Sequence, residues 1–126
     1  MSHLISLSGT FDARFRYNDF NHPFFDEVSR VAHISRLDSP PWRDVERYAR
    51  NSPMLAVENI TAPLMIVHGD LDFVPIQQGE EMFSALRCLG KHVRFVRYWG
   101  EGHVLSSPAN IADLWRRILG WLESFQ

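Results

Sequence analysis

Four consecutive apolar residues, Leu64-Met65-Ile66-Val67, stand between Pro63 and the pair His68-Gly69. A run this short and this continuous leaves no face for water, and it predicts a strand buried on both sides of a parallel sheet. Such a strand needs helices above and below it and further strands beside it. The sequence downstream supplies them. Pro75 opens a helix whose apolar stripe is Ile76, Met82, Phe83, Leu86 and Leu89, with Gly90 as a left-handed C-terminal cap. Val93 to Tyr98 is a second strand. Ser107 then caps a last helix with Pro108 at its first position, and Ile111, Leu114, Trp115, Ile118, Leu122 and Phe125 recur at helical spacing. Strand, helix, strand, helix implies a right-handed crossover and a helix-covered parallel sheet, an α/β fold.

The first part of the chain is less regular. Leu4, Ile5 and Leu7 predict a buried strand closed by Gly9-Thr10. From Phe11 to Pro41 aromatic and charged residues mix without a period, broken by Pro23, Pro40 and Pro41, which suits a covering segment lying on another surface. A short helix is expected from Trp42, with Trp42, Val45 and Ala49 on one face and Asp44 and Glu46 near its positive end. Three strands are few for a sheet buried on both faces, so residues 1–126 read as one piece of a larger domain.

Composition removes several function classes. No apolar run approaches the roughly 20 residues of a membrane helix. Thirteen basic residues against fifteen acidic ones give a net charge of -2 and no basic footprint for nucleic acid. Cys88 is the single cysteine, which excludes an internal disulfide; between Leu86 and Leu89 it is expected to be buried. The opening MSHLISLSGT has neither the charged start nor the long apolar stretch of a secretory leader, so the expected compartment is the cytoplasm.

In open parallel sheets the ligand site lies beyond the carboxyl ends of the strands. The loops after Val67 and after Tyr98 carry Asp70, Asp72, Glu101 and His103. One crossover separates Asp72 from His103, which makes their loops neighbours at one end of the sheet. A carboxylate bonded to one imidazole nitrogen leaves the other free to take a proton from a nucleophile. Asp70 reads as a turn residue binding backbone amides. His68, Asp70 and Asp72 form a metal cluster on paper, but one tight loop aims three side chains at one ion with difficulty. Ser8 ends a strand without a helical pattern after it, Ser107 is accounted for as a cap, and Ser106 beside it is not expected to be a nucleophile. His22 and His33 read as surface or packing residues.

From Ser52-Pro53 onward the chain resembles the end of a prolyl oligopeptidase-family serine peptidase, of the dipeptidyl-peptidase and acylaminoacyl-peptidase type. The likeness is carried by APLMIVHGDLDFVPIQQGEEMFSAL, the glycine of CLGK, VRFVRYWGEGH and the closing helix. It covers the last 75 or so residues well and the first part more loosely. It implies the C-terminal half of an α/β-hydrolase catalytic domain, a peptide substrate, no cofactor and no metal. The aspartate of HG-x-x-D would be the triad acid, here Asp72, and the histidine of G-E-G-H the triad base, here His103.

The family's serine sits on a G-x-S-x-G elbow, and none occurs in these 126 residues. Oxyanion donors and an N-terminal propeller are missing with it. The chain is therefore expected to lack the nucleophile-bearing half, to be inactive alone, and to pair with a separate N-terminal half or self-associate through its open sheet edge. Two other readings share the scaffold: a carboxylesterase-like hydrolase fragment, and a non-catalytic remnant acting as an interaction module.

Overall fold

A computed structural model describes residues 3–9, 11 and 41–125. The expected covering segment, with His22, His33 and its aromatics after Phe11, lies outside the described residues. The elements run β1 (Leu4–Leu7), α1 (Val45–Arg50), a kinked 3-10 segment (Pro53–Asn59), β2 (Leu64–Gly69), α2 (Gln77–Cys88), β3 (Val93–Tyr98) and α3 (Pro108–Glu123). The three strands form one parallel sheet in the order β1-β2-β3, with Leu4 opposite Leu64 and Leu64 opposite Val93.

β2 is the centre, and all six of its residues are buried. Its side chains alternate between two apolar clusters, as the period of a strand requires. Leu64 and Ile66 join Phe11, Met82 and Leu86 on the side covered by α2. Met65 and Val67 join Val96, Tyr98 and Trp121 on the side covered by α3. Each fully buried aliphatic side chain of this kind contributes about 1.5–3 kcal/mol of transfer free energy. β2 is thus where both layers are anchored.

α2 ends as its sequence predicts. Gly90 has a φ of 66°, its N–H bonds to the Arg87 carbonyl, and the Lys91 N–H reaches back to Leu86, a Schellman closure.

Several expectations need correction. β1 is a strand but not a buried one: it pairs with β2 on one edge, and Leu7 is 57% exposed. The helix after Trp42 starts at Val45 and turns Tyr48 inward, while Trp42 and Val45 are exposed. The Asp44 side chain accepts from the Arg47 N–H and so fixes where the helix starts. Cys88 is exposed. It lies two residues past buried Leu86, about 200° further round the helix, where no core face can include both. On α3 the residue that goes deepest is Trp121, which the expected stripe omitted; Leu114, Ile118 and Phe125 accompany it, while Trp115 and Leu122 face outward. The true face follows the spacing 114, 118, 121, 125.

Candidate active site

Two loops leave the carboxyl ends of β2 and β3 side by side. Their closeness depends on Gly69, the last residue of β2. A Cβ there would stand 2.6 Å from the Gly102 carbonyl oxygen and closer still to that of Glu101. Backbone from the second loop fills the space a side chain would take.

The first loop is stitched inward. The Val74 N–H donates to Asp72 Oδ1 at 2.8 Å, an Asx-type turn that aims the carboxylate back across the loop. His68 is fully buried, and one of its ring nitrogens, Nε2, lies 2.8 Å from the Val74 carbonyl. A carbonyl can only accept, so Nε2 carries the proton and donates it there. The same nitrogen is 3.6 Å from Asp72 Oδ2. His68 therefore braces the turn from beneath, with Nε2 committed to protein oxygen, and among the described residues no group of three or more His, Cys, Asp or Glu side chains could hold a metal ion.

The second loop meets the first through its backbone. The Leu71 N–H donates to the Glu101 carbonyl at 3.0 Å and the Asp70 N–H to the Tyr98 carbonyl at 3.1 Å. Asp70, expected as a turn residue, does bind a backbone amide, but across the gap: Oδ1 accepts from the Gly100 N–H at 2.5 Å.

Between these ties Asp72 and His103 come together. His103 Nδ1 lies 3.0 Å from Oδ1 and 3.1 Å from Oδ2 of Asp72. The Asp72 side chain is wholly buried and that of His103 is 42% exposed. Phe73 lies against the imidazole, ring centroids 4.3 Å apart and planes tilted by 32°, covering one face of the ring. With Nδ1–H donating to the carboxylate, Nε2 is left bare and can accept a proton.

Beside His103 an apolar pocket of about 360 Å³ opens over the α3 side of the sheet, walled by Leu7, Val67, Val104, Leu105 and Leu114. Ser8 also lines it, in the left-handed region with a φ of 51°. Ser106 turns away from the imidazole: its hydroxyl donates to Glu101 Oε2 at 3.3 Å. Ser107 stands at the N-cap of α3, but its hydroxyl does not cap the helix as the sequence predicts. The carboxylate of Glu101 instead holds the two residues that lead into the helix and one side chain of its first turn. It accepts the N–H groups of Ser106 at 2.7 Å and Ser107 at 3.1 Å and the side-chain amide of Asn110 at 2.6 Å. These donors hold its carboxyl below the usual range against the opposing effect of burial. No local signal in the sequence marks these contacts, because Glu101 stands across a loop from the residues it binds.

The two ends of the second loop are also tied. The Tyr98 hydroxyl donates to Asp113 Oδ2 at 2.8 Å, and Arg117 Nε donates to the same oxygen. Burial, then the bond to Asp113, pushes the Tyr98 phenol up to about 12.

Comparison with known proteins bears on this arrangement. The profile of the prolyl oligopeptidase family matches residues 4–125. An uncharacterized peptidase of Bacillus subtilis (strain 168), YuxL, is 36% identical over 72 residues, covering 56% of this chain and 11% of that protein. A probable dipeptidyl-peptidase 5 of Emericella nidulans is 33% identical over 88 residues, covering 67% of this chain and 12% of that one. The crystal structure of Porphyromonas gingivalis dipeptidyl peptidase 4 superposes with a TM-score of 0.76 at 19% identity, over 95% of this chain and 15% of that one. Pyrococcus horikoshii acylaminoacyl peptidase superposes at 0.61 with 25% identity, over 79% of this chain and 15% of that one. The fold is thus a portion of an α/β-hydrolase, and the chain spans only about a tenth to a seventh of the length of these proteins. From β1 to the end of α3, this chain belongs to the prolyl oligopeptidase family.

Proposed function

We propose that this chain supplies the acid and the base of a serine-peptidase catalytic domain whose nucleophile lies outside these 126 residues. The observation that carries the reading is the pair formed by buried Asp72 and half-exposed His103 at 3.0 Å. Asp72 holds the imidazole in the Nδ1–H tautomer. His103 Nε2 takes the proton of an incoming serine as that hydroxyl attacks a peptide carbonyl, then returns it to the leaving amine. Asp72 stays ionised throughout and stabilises the imidazolium formed in between.

The domain is partial on this reading, and its complement meets it at β1. The outer edge of β1 is unpaired among the described residues, Leu4 and Leu7 are exposed there, and the apolar pocket opens beside it. An N-terminal half of the sheet, placed on that edge, would bring its serine toward His103. Without such a half the exposed edge favours self-association.

The test is a chimera in which this chain replaces the matching C-terminal segment of the Emericella nidulans probable dipeptidyl-peptidase 5, assayed on dipeptide p-nitroanilides and p-nitrophenyl esters. Turnover of the anilides that disappears in His103→Ala is the expected result, with no turnover by the isolated chain. Ester turnover alone would favour the carboxylesterase reading. Covalent labelling of Ser8 by a fluorophosphonate in the isolated chain would overturn the assignment of the nucleophile to another segment.

A further inference from the structure

His103 projects from a loop without regular secondary structure, and among the described residues its ring hydrogen-bonds to Asp72. Something must hold the backbone on either side of it. Glu101 is placed to do so from both directions. Its main-chain carbonyl takes the Leu71 N–H and so fastens the loop to the one bearing Asp72. Its carboxylate reaches forward past His103 to Ser106, Ser107 and Asn110, which fastens the far side of the loop to the start of α3. The residue is 2% exposed, and every contact its carboxylate makes is with a donor. His103 lies inside the ring of backbone that this one side chain closes.

We propose that Glu101 is a positioning residue for the base: its ionised carboxylate closes the loop from Glu101 to Ser107 and thereby sets His103 Nδ1 against Asp72. The proposal rests on the reading of Asp72 and His103 as acid and base, which it deepens. A plain helix cap would stabilise α3 and leave the imidazole indifferent to its loss. A positioning residue controls the tautomer of a ring it does not touch. Glutamine in its place keeps the size but turns one acceptor oxygen into a donor facing N–H groups, so at least one of the three nitrogen contacts must open.

The experiment is nitrogen-15 and proton NMR of the histidine ring in the full chain, at a pH where the imidazole is neutral. In the native protein His103 is expected in the Nδ1–H tautomer, with a downfield, slowly exchanging Nδ1 proton that Asp72→Asn removes. In Glu101→Gln the same proton should broaden or vanish and the tautomer preference should be lost, while the backbone amides of β2 and β3 keep their shifts. A Glu101→Gln protein that melts earlier but retains the native His103 signal overturns the proposal and leaves the acid–base reading standing. If the native protein shows no Nδ1 proton, or Asp72→Asn leaves it unchanged, the acid–base reading falls and this proposal with it. Should Glu101→Gln fail to fold, Asn110→Ala decides, since it removes one side-chain donor and keeps both backbone donors. Faster exchange of the His103 Nδ1 proton by several-fold supports the proposal, and unchanged exchange overturns it.

Discussion

The loops after β2 and β3 start from adjacent strands and are tied together by backbone bonds and by the Asp72–His103 contact, yet they are built in opposite ways. In the first, Asp72 is buried above His68 of β2 and Val74 is 2% exposed, while Leu71 alone among the large apolar side chains there is open to water. In the second, the backbone and Glu101 do the holding, while His103 is half exposed and Val104 is 78% exposed. The difference matches what each partner has to do. A carboxylate that keeps its charge through a reaction can be sealed in among donors. An imidazole that must pass a proton to another group needs one nitrogen fixed and the other open.

The largest effect should come from breaking the side-chain link between Asp72 and His103. In the chimera, Asp72→Asn preserves the shape of the first loop but not the tautomer of His103, and kcat is expected to fall by about 10⁴. A fall of less than tenfold would mean that the two loops work independently. Next is the seam where they touch. Gly69→Ala forces a methyl into the carbonyls of Glu101 and Gly102, backbone that cannot swing away. Chemical unfolding should show a loss of about 3 kcal/mol. An alanine variant of unchanged stability would show that the seam is looser than drawn.

Cavity-forming changes in the two loops sharpen the contrast. Val74→Ala should cost about 2 kcal/mol because its side chain leaves a hole under the Asp72 turn. Val104→Ala should stay within about 0.5 kcal/mol. Equal costs would erase the distinction between an inward and an outward loop.

The smallest effect concerns the root of the second loop. The Tyr98 phenol is raised from 10.0 to about 12 in the folded state, so its protonated form is the one that folding favours. Its contribution is fully present below pH 10 and declines as pH climbs from 10 toward 12. Urea unfolding across that window should show the native protein losing stability with a slope that Tyr98→Phe removes.

Much of this was legible along the chain. The apolar run at 64–67, the Gly90 cap and the strand from Val93 to Tyr98 stand where local patterns place them, because each depends on neighbours in sequence. Asp72 and His103 were legible as a pair since one crossover returns the chain to the adjacent strand, and the parallel register of β2 with β3 confirms that adjacency. Failures occurred where the deciding partner was remote. Leu7 reads as core in isolation, but its exposure depends on how many strands flank β1. Trp121 escaped a stripe chosen for spacing alone, since burial on α3 depends on how that helix is rotated over the sheet. The role of Glu101 was invisible because three of its donors follow it across a loop whose path no local rule specifies.

The sequence by itself therefore determined the order of elements, the family, and the two residue types brought to the carboxyl end of the sheet, because periodicity and turn chemistry act over a few residues. The tertiary structure alone decided which face of each helix is covered, that Gly69 admits a second backbone, and that Asp72 is enclosed while His103 is open. Those outcomes depend on contacts between residues some thirty positions apart, where the solvent each side chain sees is set by the assembled sheet and helices.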